Sequence, residues 1–302
     1  MLEFKQVELS DKTWVDALVA RENSPSADYN FGNIYMWDRK FRQKLARAGD
    51  RVIVMPEYAD CPFFAWPVGG GDLASALEVL RAYTQARGCR FALRGVTKGH
   101  LPQLEALYPG QFTVREDRDY WDYLYDAEKL DTLRGSSLHG KRNHINRFME
   151  ENDWAFAPLT AGDLPVCQAM LDAWMADCRE DESDGIDDEY AAIQRGFAAY
   201  DELGLEGGAL YAAGRLVAFT IGEQISSDTF DVHFEKAFSD VNGAYPMINQ
   251  QFVRLIRQRH PQVRWINRED DTGRESLRQS KLSYRPDRMV EKYTVVWNHD
   301  GI

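Results

Sequence analysis

Three ionisable residues alternate along one short run, Asp231, His233 and Glu235, with Phe230, Val232 and Phe234 between and beside them. In an extended strand alternate residues project together, so this pattern puts two carboxylates and an imidazole on one face and the apolar set on the other. A carboxylate beside a histidine tunes it for proton transfer, and a positioned carboxylate can itself act as a general base. The same face turned to solvent would be an ordinary polar surface.

Cations gather in the same half of the chain. Between Arg254 and Lys292 there are eleven Lys/Arg and six Asp/Glu, a local balance of +5 (11 − 6), although the whole chain carries −12. An acidic protein that concentrates cations at the element junctions of one domain is expected to hold something anionic there. A second cationic stretch, RGSSLHGKRNHINRFM, contains four Lys/Arg, two His and no acid. As a helix it places Lys141 and Arg142 at the border of an apolar stripe of Leu138, Ile145, Phe148 and Met149. A half-buried cation needs an anionic partner, either a bound anion or an acid of a neighbouring domain. A third feature is the loop that ends in Asn242, Gly243, Ala244 and Tyr245, where a strand passes into a helix. Unengaged N–H groups and the helix dipole at such a junction suit a phosphate, and a plain loop with a capping Asn would read the same way.

Placing these groups requires layered α/β (α+β) architecture. Patterning predicts helices at 11–21 and 28–47, strands at 51–56 and 62–67, a helix at 72–87, a strand at 89–95, a helix at 98–108 and strands at 111–115 and 119–125. The second half gives helices at 162–178 and 187–203, a hairpin at 208–223, a strand at 228–236, a helix at 244–259, a strand at 262–267, a helix at 272–283 and a strand at 287–297. Both halves repeat one order of elements. With 302 residues, this implies two domains, 1–130 and 131–302, each a mixed sheet flanked by helices.

Composition bounds the function. The chain is 44% hydrophobic and 28% charged, ordinary for a soluble protein. Its start has no basic segment followed by an apolar run, and no apolar stretch approaches the ~20 residues that cross a bilayer, so a cytoplasmic location is expected. Cys61, Cys89, Cys167 and Cys178 lack metal or redox spacing and are expected as buried thiols in a reducing compartment. The histidines do not cluster at ligand spacing, so no structural metal is expected. Eight acids between Asp177 and Glu189 superficially suggest a calcium loop. With Gly185 at the sixth position, however, Ala191 falls where a bidentate Glu is required, and a solvated interhelical loop is expected.

The element order of residues 208–297 resembles the core of the GNAT-type acyltransferase superfamily. Three motifs are more specific: HGKRNHINRF at 139–148, NGAYPMINQQF at 242–252, and the run from NRED to LRQSKLSYRP at 267–286. They resemble an uncharacterised bacterial family related to the C-terminal catalytic domain of phosphatidylglycerol lysyltransferases, and SADYNFGNIYMWDRKF resembles that family's N-terminal domain. The resemblance implies two tandem GNAT-like domains, the first degenerate. It also implies a donor pyrophosphate on the loop 242–245 and a donor thioester between splayed strands at 228–236 and 262–267. The usual glycine-rich Q/R-x-x-G-x-G/A loop is replaced by Asn-Gly-Ala-Tyr, a departure from acetyl-CoA enzymes. Related transferases of the lysyltransferase and Fem type take aminoacyl-tRNA instead.

The expectation is therefore an N-acyl or N-aminoacyl transferase. It would use an anionic co-substrate, acyl-CoA or the acceptor end of aminoacyl-tRNA, an amine or hydroxyl acceptor, and no tightly bound cofactor. Glu235 or His233 would act as base and Tyr284 as proton donor to the leaving group. Lys141, Arg142, His144, Asn267, Arg268 and Lys281 would hold substrate. On a surface strand, Glu235→Gln would slow the reaction and cost almost no stability. The alternative is a binding or regulatory protein that kept the fold without the chemistry.

Overall fold

The computed structural model describes residues 2–57, 59–178 and 185–298. The chain forms two compact units. One holds the residues up to Asp122, Asp270–Arg274 and the segment from Met289; the other holds Tyr123–Glu269 and Glu275–Arg288. A single cut between 130 and 131 does not describe this division, because the chain crosses between the units several times.

The first unit contains α1 (Lys12–Glu22), α2 (Phe31–Met36), α3 (Asp38–Phe41), α4 (Leu73–Gln85) and α5 (Leu101–Leu107). Its strands are β1 (Lys5–Gln6), β2 (Gln43–Ala48), β3 (Arg51–Pro56), β4 (Phe64–Ala65), β5 (Val68–Gly69), β6 (Ala92–Thr97) and β7 (Phe112–Glu116). They build two sheets, β1-β2-β3-β5 and β4-β6-β15-β7, the second completed by β15 (Lys292–Trp297) from the far end of the chain. The stretch 28–47, expected as helix, is helical only to Phe41. Beyond it β2 pairs antiparallel with β3 and buries Leu45 and Ala46, so hairpin burial overrides the helical pattern.

Two expectations fail in this unit. Cys61 and Cys89 form a disulfide with Cα atoms 5.6 Å apart. Their separation of 28 residues hides that the chain folds back around α4, and the cysteines no longer argue for a reducing compartment. Cys167, in the second unit, is a buried free thiol as expected, its pKa raised to about 12 by burial. Lys292, one of the counted excess cations, is fully buried between Asp28 (2.8 Å) and Asp122 (2.7 Å). The second oxygen of Asp122 accepts the Ala27 N–H.

In the second unit, β8 (Asp122–Asp126), β9 (Trp154–Pro158), β10 (Glu206–Ala212), β11 (Arg215–Gln224), β12 (Thr229–Ala237), β13 (Trp265–Asn267) and β14 (Arg288–Val290) form one sheet, ordered β14-β8-β13-β12-β11-β10-β9. The helices are α6 (Ala127–Thr132), α7 (His139–Glu151), α8 (Leu164–Cys178), α9 (Ile186–Ala198), α10 (Tyr200–Leu203), α11 (Ala244–Arg259) and α12 (Glu275–Leu282). α11 covers one face of the sheet, with Phe252 edge-on to Phe230. α8 and α9 cover the other, where Phe197 meets Phe219. The predicted strand 287–297 is thus two strands, β14 here and β15 in the first unit. Of the acidic run, residues 179–184 lie outside the described residues. Its last acids, Asp187, Asp188 and Glu189, sit in the first turn of α9, where the helix dipole favours them. Among the described residues no helix is long and apolar enough to cross a membrane.

Two irregularities of β12 shape the site. Against β11, Phe234 pairs with Ile221 and Val232 with Gly222, leaving His233 as the extra residue of a β-bulge. A Cβ on Gly222 would lie 2.0 Å from the Asp231 carbonyl oxygen, so the bulge requires glycine there. On β12's other side, the parallel pairing with β13 stops at Asp231↔Asn267, where β13 ends while β12 runs on to Ala237.

Candidate functional site

The bulge overturns the expectation that Asp231, His233 and Glu235 share a face. Glu235 pairs with Thr220 and Asp231 with Glu223, three residues apart on a regular strand, so they face opposite sides. Two polar clusters result, one on each side of β12.

The cluster on the α11 side centres on Glu235. One carboxylate oxygen accepts from Arg268 Nη2 and the other from Asn249 Nδ2, both at 3.0 Å. The Glu235 and Arg268 side chains are 7% and 13% exposed, a buried pair rather than a surface one. The Arg268 guanidinium also lies 4.9 Å from the centre of the Tyr284 ring. Burial works against the guanidinium charge, but Glu235 and the tyrosines outweigh it and raise the Arg268 pKa. Burial raises the Tyr284 hydroxyl pKa too, with Arg268 opposing. Lys141 sits 4.1 Å above the Tyr284 ring, its pKa lowered by burial and by Arg268. Two polar atoms of this cluster, Arg268 Nη1 and Asn249 Oδ1, are buried with no hydrogen-bond partner among the described residues.

The cluster on the opposite side centres on His233. Its Nε2 lies 3.1 Å from Glu223, and its Nδ1 lies 3.0 Å from Glu269 and 3.4 Å from Asp231. With a carboxylate at each nitrogen the ring donates from both, as an imidazolium. Burial opposes that charge, but Asp231, Glu223 and Glu269 hold the pKa well above the usual value. His233 is therefore poorly placed to be the base the sequence suggested. Single donor atoms of Asp231, His233 and Glu269 lie within 4.8 Å of one another, close enough for a metal. The Glu269 contact to Nδ1 is a hydrogen bond, and the Asp231 contact is an ion-pair distance. Asn267, expected to hold substrate, is fully buried and accepts the Glu269 N–H at 2.7 Å, a role in turning the chain.

The loop expected to cradle a phosphate is packed against α7. A Cβ on Gly243 would lie 2.3 Å from the His144 carbonyl oxygen and 2.9 Å from Phe148, so α7 fills the space a ligand was expected to use. Ala244 N–H is taken by Val241, and Pro246 has no N–H to offer. Tyr245 is exposed, and His144 binds Asn242 at 3.0 Å, tying α7 to the loop. Gly243→Ala should therefore cost at least about 1 kcal/mol in chemical denaturation, from the clash and from a φ of +84°. A fully stable variant that lost only ligand affinity would return the glycine to a ligand.

Several other cations are also spent internally. Arg142 donates to the carbonyls of Leu133 and Gly135. Lys281 donates to the Arg268 carbonyl and so supports the first cluster from beneath. Arg254 and Arg257 both grip Asp131, and Arg259 binds Glu206. A hollow of about 750 Å³ at the C-terminal end of α11 is lined by Asp131, Arg254, Arg257 and Arg264, and by none of the cluster residues.

Comparison with known proteins decides the family. The family model described as "Phosphatidylglycerol lysyltransferase, C-terminal" matches residues 20–296. The chain belongs to this family. It is similar over 99% of its length to all of a conserved protein of unknown function from Bacteroides thetaiotaomicron, at 34% identity and a TM-score of 0.93. The C-terminal domain of a protein assigned as a lysylphosphatidylglycerol synthetase from Agrobacterium fabrum shares the fold, at 14% identity and a TM-score of 0.67 over 96% of this chain and 92% of that one. An uncharacterised protein of Mycoplasmoides gallisepticum is 28% identical over 58% of this chain, and the match spans 55% of that relative.

Each of the three motifs that carry the lysyltransferase resemblance delivers a side chain to the Glu235 cluster. HGKRNHINRF supplies Lys141, NGAYPMINQQF supplies Asn249, and the run at 267–286 supplies Arg268 and Tyr284. Asn249, Glu223 and Glu269 were not read from the sequence. Asn249 had a signal, because it lies on the apolar stripe of α11, three and seven residues before Phe252 and Ile256. Glu223 is a carboxylate one residue from the end of a largely buried strand and is nearly as detectable. Glu269 stands inside the NRED run, directly after Asn267 and Arg268.

Proposed function

We propose that this chain transfers an aminoacyl or acyl group from an activated ester to an amine or hydroxyl, with the reaction centred on Glu235, Arg268 and Tyr284. One observation carries the reading. Glu235 engages Arg268 and Asn249 while leaving one buried donor, Arg268 Nη1, and one buried acceptor, Asn249 Oδ1, without protein partners. Buried polar groups are rarely left so, and a group bearing both a carbonyl and an amine satisfies both. In the reaction the acceptor nitrogen or oxygen attacks the carbonyl carbon and its proton passes to Glu235. Arg268 and Lys141 stabilise the tetrahedral oxyanion. The bond to the leaving oxygen or sulfur then breaks as Tyr284 protonates it, and Glu235 returns the proton to Tyr284.

An aminoacyl ester suits this site better than an acyl-CoA. The loop that would take a CoA pyrophosphate is packed against α7 at Gly243. A net charge of −12 also disfavours a broad grip on tRNA, since phosphate neutralisation drives that affinity, so only an acceptor end would dock. Calorimetric titration with lysinamide, alaninamide and acetyl-CoA tests the donor, and expected binding is confined to the aminoacyl amides. Tyr284→Phe should keep that affinity and lower turnover of an aminoacyl donor by about 10²-fold or more. If none of the three binds at millimolar concentration, the reading gives way to a binding protein without chemistry.

A further inference from the structure

Where β13 ends beside β12, two side-chain pairs join the following turn to β12 from opposite faces: Arg268 to Glu235, and Glu269 to His233. The bridging residues Arg268 and Glu269 are consecutive, so the geometry of one constrains the other. Glu269 has a left-handed backbone, φ +54°, a conformation that disfavours a non-glycine residue. Its N–H is held by the Asn267 side chain at 2.7 Å and its carbonyl by Tyr123 N–H at 3.2 Å. Arg268 N–H is held by the Tyr123 carbonyl at 3.0 Å. These bonds hold the turn to β8 and β13, and its tie to β12 is made by the two side-chain pairs.

We infer that His233 is a positioning residue: anchored at the bulge between Glu223 and Asp231, it latches Glu269 and thereby fixes Arg268 against Glu235 on the other side of the strand. The inference rests on reading Glu235 and Arg268 as the reactive pair. It gives a purpose to the bulge, which turns Asp231 and Glu235 to opposite faces, and to an otherwise unfavourable conformation at Glu269. The charged groups facing the imidazole are Glu223 from β11, Asp231 from β12 and Glu269 from the turn after β13. A ring surrounded in this way serves as a fixed cation and not as a proton shuttle.

Nitrogen NMR on the full chain tests the latch without needing a substrate. His233 should show both ring nitrogens protonated from pH 6 to 8.5, and the Arg268 Nε–H signal should be resolved and protected. In His233→Gln and Glu269→Gln that signal should move toward the position of a solvated arginine, while Arg254, held by Asp131, stays unchanged. Turnover of an aminoacyl donor should fall on the order of 10- to 100-fold in kcat with little change in KM, as expected for a misplaced group. A neutral His233 at pH 7, or an Arg268 signal unmoved in both variants, overturns the inference. So does saturable, one-to-one perturbation of the His233 signals by Zn²⁺ or Mn²⁺, which would make the cluster a metal site. If Arg268 moves and turnover does not, the latch stands and Glu235–Arg268 is not the reactive pair. Should His233→Gln fail to fold, the wild-type ring signature and Glu269→Gln still decide the matter.

Discussion

Glu235→Gln is expected to destabilise the second unit by roughly 3–5 kcal/mol, the usual result of removing one partner of a buried ion pair. Arg268 would remain buried with its charge uncompensated, because Tyr284 and a neutral amide are its remaining neighbours on that side. For a unit of this size the midpoint of thermal unfolding should fall by about 10 °C. The double variant Glu235→Gln/Arg268→Met should recover much of the loss, since it removes the stranded charge and keeps the volume. Circular dichroism or calorimetry on the two variants checks the sign of this recovery. A single-variant loss below about 1 kcal/mol would mean that water reaches the pair, as in surface pairs. The same substitution should lower transfer by about 10²–10⁴-fold if Glu235 takes the acceptor's proton. Activity should therefore be compared well below the variant's unfolding temperature.

The contrast with the expectation from sequence, which assigned Glu235→Gln almost no stability cost, shows where local reading ends. Alternation at 229–235 correctly gave a strand, and the motif run at 267–286 named Arg268 and Tyr284, which the structure brings together beside Glu235. What alternation cannot show is a single extra residue, because a bulge is set by the register of the partner strand and by the tolerance of Gly222 for a close carbonyl. That one residue sends Glu235 to α11 and leaves His233 with Glu223 on the far side. The cation count failed for a related reason. Arg254, Arg257, Arg259 and Lys292 find acids distant in sequence, so a local balance of charge says little about what remains for a ligand. The second-unit elements were legible because apolar periodicity is local. The insertion of β15 between β6 and β7 of the first unit was not, since nothing local in Lys292–Trp297 specifies those partners.

Lys292→Met is expected to destabilise the first unit by roughly 3–5 kcal/mol at neutral pH, because Asp122 would be left ionised and buried. The Asp122 side chain is 1% exposed, and one of its oxygens is already committed to the Ala27 N–H. Lys292 also ties the last strand of the chain to the core of the unit, so the loss should appear as early unfolding of β15 and its neighbours in hydrogen exchange. The pH dependence has a definite sign. Burial opposes the ammonium, yet Asp122 and Asp28 outweigh it and raise its pKa above the ordinary lysine value. A group raised in the folded state contributes fully below its unfolded pKa of about 10.4 and loses that contribution as pH rises. The difference between wild type and variant should therefore be flat from pH 6 to 9 on account of Lys292, and narrower by roughly 1 kcal/mol near pH 11. Urea unfolding of both proteins at pH 7, 9 and 11 measures it. A difference that widens with pH would mean that Lys292 is neutral in the folded chain, and the buried triad would then be held by hydrogen bonds alone.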